Sequence, residues 1–114
     1  MKAAFAIITL VLAAGTAAAA DAPPPAPRTE IIFANHGGVY DWRADGNEAM
    51  IIESRDHHYF RAKFLGPCPE LKFRDRVGFV TDARDVIDKF QSVRVGDRTC
   101  NFISFDEIPK PEKW

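Results

Sequence analysis

In 114 residues the chain has only two cysteines and three histidines, and it lacks most of the patterns that announce a function. With no C-x-x-C spacing, the cysteines do not match thioredoxin-type redox motifs or the common zinc modules. No serine sits in a G-x-S-x-G setting, so the nucleophile elbow of the α/β-hydrolases is absent. A formal charge of −1 gives no support to nucleic-acid binding, which shows as a strongly basic domain. Past residue 20 no apolar run reaches the roughly 20 residues needed to span a bilayer. No 3.6-residue periodicity is sustained and no internal repeat is visible, which argues against helical bundles and solenoids.

What is present begins with an export signal. Lys2 supplies a positive start, Ala3 to Ala14 is apolar apart from Thr9, and Ala18-Ala19-Ala20 offers the small side chains of a cleavage site. Residues 1–20 are therefore expected to be a signal peptide, leaving a chain that begins at Asp21, is more negative by one charge and is soluble, with no membrane insertion after cleavage. Residues 21–28 read D-A-P-P-P-A-P-R. Prolines at this density favour extended polyproline II, so the segment is expected to be a linker. Residues 29–108 form one β-rich domain, and two prolines in residues 109–114 mark a flexible C-terminal tail.

A domain of about 80 residues lies near the size at which an apolar core alone is marginal. Export to an oxidising compartment makes a covalent staple available, and a Cys68–Cys100 disulfide is the preferred reading. The alternatives are a free reactive thiol, a metal pair and an intermolecular bridge.

Between the tails the pattern is one of short strands and turns. Glu30–Ala34 is a brief β-rich run ended by Asn35-His36-Gly37-Gly38. Asp45-Gly46-Asn47 is a turn, and Ala49–Glu53 a strand. In His58–Leu65, Phe60, Ala62 and Phe64 alternate with Tyr59, Arg61 and Lys63, so one face goes to the core. Cys68–Phe73 suits a short helical turn with Pro69 at its first position. Val77–Thr81 is a strand, and Asp82–Lys89 is polar and turn-like. Gln91–Val95 and Arg98–Phe105 flank Gly96-Asp97 as a hairpin with a type II′ turn. The expected fold is mostly β: a small antiparallel sheet curled into a barrel or sandwich, with one short helical turn.

The block Tyr59–Phe73, which contains Gly66-Pro67-Cys68-Pro69-Glu70-Leu71, resembles the central block of an uncharacterised family of small exported proteobacterial proteins, a domain of unknown function. Val77-Gly78-Phe79 and Asp88 to Cys100 continue the resemblance, which runs from about Thr29 to Lys113. It implies export, the pairing of Cys68 with Cys100 and a periplasmic location. It implies no activity, cofactor or catalytic residue, and the histidines do not fall on its pattern.

Among the residues that carry chemistry, His36, Asp56, His57 and His58 form a transition-metal alternative, since imidazoles and a carboxylate suit Zn²⁺ or Cu²⁺. Adjacent residues at the start of a strand point to opposite faces, which argues against His57 and His58 sharing one ion. Asp82, Asp85 and Asp88 lack the spacing of a calcium loop and read as turn caps, with Asp88 bracing the approach to Phe90. Ser54, Ser92 and Ser104 have no placed base, and a Ser54–Asp56–His57 set is too local for a triad. Arg61, Lys63, Lys72, Arg74 and Arg76 against Glu70 and Asp75 make the middle of the chain locally basic, which suits an anionic envelope component. Tyr40, Trp42 and Tyr59 suit a ligand surface or the core. The chain therefore reads as a periplasmic or secreted, non-catalytic module without a cofactor, binding an envelope protein or glycan.

Overall fold

The structure, a computed structural model, describes residues 26–114. The signal peptide expected over residues 1–20 and the start of the linker (21–25) lie outside the described residues. Six strands form one antiparallel sheet: β1 (Val39–Asp45), β2 (Ala49–Ser54), β3 (Tyr59–Phe64), β4 (Gly78–Val80), β5 (Ser92–Val95) and β6 (Arg98–Ile108). Their order is β1-β2-β3-β6-β5-β4, and the sheet curls into a half-barrel.

The alternation read from β3 holds. Phe60, Ala62 and Phe64 are buried while Arg61 and Lys63 are exposed. Phe60 stacks on Phe105 with ring centroids 5.1 Å apart, and Phe64 stacks on Phe102 at 5.7 Å. Met50, Ile52, Val93 and Val95 complete the sheet side of the core. The open side of the half-barrel is filled by Ile31, Ala34, Leu71 and Ile87, all from connecting segments. Leu71 belongs to a 3-10 turn, Leu71–Phe73, within the segment expected to turn helically.

Two expectations change. Glu30–Ala34 is not a strand: Ile31 alone pairs, exchanging both backbone hydrogen bonds with Ile87 at 2.9 Å. Phe33 then takes φ +55, which ends any extended run and starts a tight turn over Ala34–Gly38. The chain doubles back so closely that a β-carbon on Gly38 would lie 2.1 Å from the Ile32 carbonyl oxygen. Conversely, β1 was not legible as a strand. A bulge between Val39 and Asp41 breaks its alternation, and two aspartates, residues disfavoured in strands, hide Trp42 and Ala44, which pack on the core. β1 and β4 are the sheet edges, where exposed charge and short length discourage pairing with other chains.

The β5–β6 hairpin has the expected two-residue turn. Val95 pairs with Arg98, Gly96 has φ +61, and Asp97 has no positive φ, the pattern of type II′ rather than I′. Cys68 and Cys100 are disulfide-bonded, with Cα atoms 6.1 Å apart. Both cysteines are buried. The backbone N–H of Cys68 also donates to the Asn47 carbonyl at 2.6 Å. The bond thus fastens the segment after β3 to β6, next to the β1–β2 turn. Among the described residues no helix is long and apolar enough to cross a membrane.

Candidate binding site around the β2–β3 turn

The turn joining β2 to β3 is organised by Ser54. Its hydroxyl donates to Asp56 Oδ1 at 2.5 Å and accepts from the His58 backbone N–H at 3.1 Å. His57 adopts φ +63. His57 and His58 both border one open depression, yet they reach opposite faces of the sheet: Glu53, the partner of His57, pairs with Tyr59 on the outer face, and Glu107, the partner of His58, pairs with Phe60 on the core face.

Each imidazole is held by its own carboxylate. His57 Nδ1 lies 2.6 Å from Glu53 Oε2, His58 Nδ1 is 2.7 Å from Glu107 Oε2, and His36 Nδ1 is 2.5 Å from Asp85 Oδ2. His58 Nε2 faces Asp56 at 3.9 Å. The residues of the transition-metal alternative thus meet three separate acidic partners. Among the described residues no group of three His, Cys, Asp or Glu side chains is gathered as a metal would require. Ser54 has no imidazole at its hydroxyl, which bonds Asp56 and the His58 backbone instead.

Glu53 is the most unusual of these groups, a carboxylate only 4% exposed. The C-terminal residues, expected to be flexible, lie back across the outer face of the sheet and cover it. Trp114 Nε1 donates to Glu53 Oε1 at 2.7 Å, and its ring meets Tyr59 edge-on at 5.3 Å. The Arg43 guanidinium lies 4.7 Å from the Trp114 ring centroid. Tyr59 is buried beneath this cover, although its place in the alternation had put it on the solvent side. Burial pushes the Glu53 pKa up, but hydrogen bonds from His57, Trp114 and Tyr59 outweigh it and leave the carboxyl below its usual value. Burial, together with Glu53, raises the Tyr59 hydroxyl.

On the other side of the turn is a hollow of about 750 Å³, lined on its apolar side by Ile31, Ile32, Phe33 and Phe60. That volume falls within the usual range of small-molecule sites. Its polar side is Arg28, Arg55, Asp56 and His36. Arg28 is tied to the domain twice: its guanidinium pairs with Asp56, and its backbone N–H donates to Glu107 Oε1 at 2.8 Å. The Ser54 hydroxyl and then Arg28 hold Asp56 down to about 2. The Arg28 N–H and His58 likewise lower Glu107. Ile32 and Phe33 remain more than half exposed at the rim.

The remaining candidates separate. Asp82 accepts from the Arg84 backbone N–H at 2.9 Å, and Asp88 accepts from Phe90 N–H at 2.9 Å. The His36 imidazole and then the Asn35 N–H, both held by Asp85, lower its pKa. Asp82 and Asp88 thus act within their own turns, as read from the sequence, whereas Asp85 reaches across to the turn over Ala34–Gly38. Trp42 is partly buried against the core, whereas Tyr40 is exposed with its ring 5.1 Å from that of His57. Arg61, on β3, pairs with Asp45, on β1, apart from Lys72, Arg74 and Arg76. Sequence reading missed Arg28, Glu53, Glu107 and Trp114. The one local signal was the i, i+4 spacing of Glu53 and His57; the other pairs join residues dozens of positions apart.

The model of DUF6491, a family of unknown function, matches residues 1–113. The chain belongs to that family. The match spans both cysteines, the β2–β3 turn and the hollow beside it. No curated protein and no solved structure matches the chain.

Proposed function

We propose that this DUF6491 chain is an exported, non-catalytic binding module, periplasmic in a Gram-negative cell, whose ligand seat is the end of the sheet around the β2–β3 turn. The observation that carries the reading is the hollow beside that turn. An apolar wall of Ile31, Ile32, Phe33 and Phe60 faces the ion-paired Arg28 and Asp56. That is the mixture by which a concave site buries a ligand's body and orients its polar end. Phe33 is held at φ +55 and is 60% exposed, a strained aromatic at a rim, and backbone strain of this kind concentrates at ligand clamps. The non-catalytic part of the reading is supported by Ser54, whose hydroxyl is committed to Asp56.

The seat suits an envelope protein segment or glycan presenting both apolar and polar faces. Photo-crosslinking in intact cells tests it, with a photoreactive amino acid placed at Phe33, at Ile32 and, as a control, at Glu48 in the β1–β2 turn. Discrete adducts from positions 32 and 33 but not from 48 are expected. The same adducts from all three positions, or none above background from 32 and 33, would overturn the assignment.

A further inference from the structure

The opposite end of β6 carries a different surface. β6 runs from Arg98 to Ile108, about 30 Å at the usual rise per residue, so Arg98 stands far along the sheet from Glu107. Pairing gathers arginines there from segments distant in sequence. Gly78 pairs with Arg94, and Arg94 pairs with Thr99. Arg76 precedes β4 by two residues, beside the hairpin end. Arg74 lies over the hairpin turn, its guanidinium 2.7 Å from where a β-carbon on Gly96 would be. Lys72 sits two residues further back, its ammonium 5.2 Å from the centre of the Phe73 ring.

These charges are largely unanswered. Lys72, Arg76, Arg94 and Arg98 form no ion pair among the described residues. Arg74 has Glu70 at 3.4 Å, with both side chains about half exposed. Asp75 and Asp97 are the other acidic residues in these two segments. Arg94 shares the outer face with Thr99, and Arg98 the core side with Val95, so the charges surround the hairpin end from both faces; near the same end stand apolar side chains that the core does not use. Phe73 is 77% exposed and Leu65 69% exposed, and Leu65 shares a shallow depression with Arg98.

We propose that this end of the molecule docks peripherally on an anionic phospholipid surface. Guanidinium and ammonium groups would meet lipid phosphates, while Phe73 and Leu65 enter the headgroup boundary. Charge complementarity selects the anionic surface. The exposed aromatic among the charges favours a surface with an apolar boundary, where a ring enters at headgroup level, over a partner held by charge alone. The proposal goes beyond the ligand seat at the β2–β3 turn and uses none of its residues, so either can fail alone.

Co-sedimentation of the purified chain with vesicles tests it. Binding is expected to vesicles of phosphatidylglycerol and phosphatidylcholine in equal parts, and not to phosphatidylcholine alone. Raising salt to about 0.5 M should release it, since surface charges are then screened within several ångströms. Each removed charge should weaken binding about five-fold, so R76Q/R94Q/R98Q should lose on the order of a hundred-fold. Phe73→Ala should weaken vesicle binding several-fold and leave retention on heparin unchanged. Equal binding to neutral vesicles, or no binding to either, overturns the proposal. So does a Phe73→Ala variant that binds anionic vesicles as the parent does, which marks a polyanion site instead. Should the triple variant fail to fold, the salt and neutral-vesicle arms decide on the unaltered chain.

Discussion

Removing the Cys68–Cys100 bond should cost this domain a large part of its stability. The two positions are 32 residues apart, and closing such a loop restricts the unfolded chain by about 3.7 kcal/mol at 25 °C on the chain-entropy expression. A domain of this size has a total stability of roughly 5–15 kcal/mol, and about 1 kcal/mol moves its midpoint by some 4–8 °C. Cys68→Ala or Cys100→Ala should therefore lower the thermal midpoint by about 15–30 °C. Alanine is the better probe than serine, because Cys68 is 1% exposed and a hydroxyl there would add a desolvation penalty of its own. Since either change removes the same bond, the double variant should lie within about 1 kcal/mol of each single one, an extreme case of non-additivity at coupled sites. Guanidinium unfolding of all three variants, with free thiols counted in the parent, is the assay. Losses that add, singles that differ widely, or a loss below about 1 kcal/mol would refute the reasoning.

Three further outcomes follow from the geometry. Trp114→Ala strips a hydrogen bond from the buried Glu53 carboxylate and uncovers Tyr59; urea denaturation should show a loss of about 1.5–3 kcal/mol, and a change under about 0.5 kcal/mol would mean that the tail is not seated. Glu53, Asp56, Asp85 and Glu107 all have folded pKa values below their ordinary ones. The folded state therefore binds fewer protons, and their stabilisation is complete above the unfolded values near 4 and fades as pH falls toward about 2, the folded value of Asp56. Denaturation midpoints measured from pH 6 downward should fall in that acidic window; a flat profile below pH 4 would contradict it. Gly38→Ala places a β-carbon 2.1 Å from the Ile32 carbonyl oxygen and should cost at least about 2 kcal/mol, because backbone must move; an unchanged thermal midpoint would show the turn to be looser than described.

The amino-acid sequence by itself settled whatever depends on near neighbours. Period-two alternation in β3, the Gly96-Asp97 turn and Pro69 before Leu71 each act over a few residues, and the half-barrel's strands and short turn follow them. A single pair of cysteines likewise admitted one intramolecular bond, which the structure has. Tertiary structure alone decided the rest. Trp114 meets Glu53 and Arg28 meets Glu107, and arginines from separate segments gather at the β5–β6 hairpin end, only because antiparallel pairing brings distant segments side by side. The histidines show the same division. Their residue types suggested a shared ion, but a left-handed His57 and three separate carboxylates, set by the closure of turns, gave each imidazole a partner of its own. Side-chain chemistry is written locally; which groups become neighbours is fixed by register and loop closure across the whole sheet.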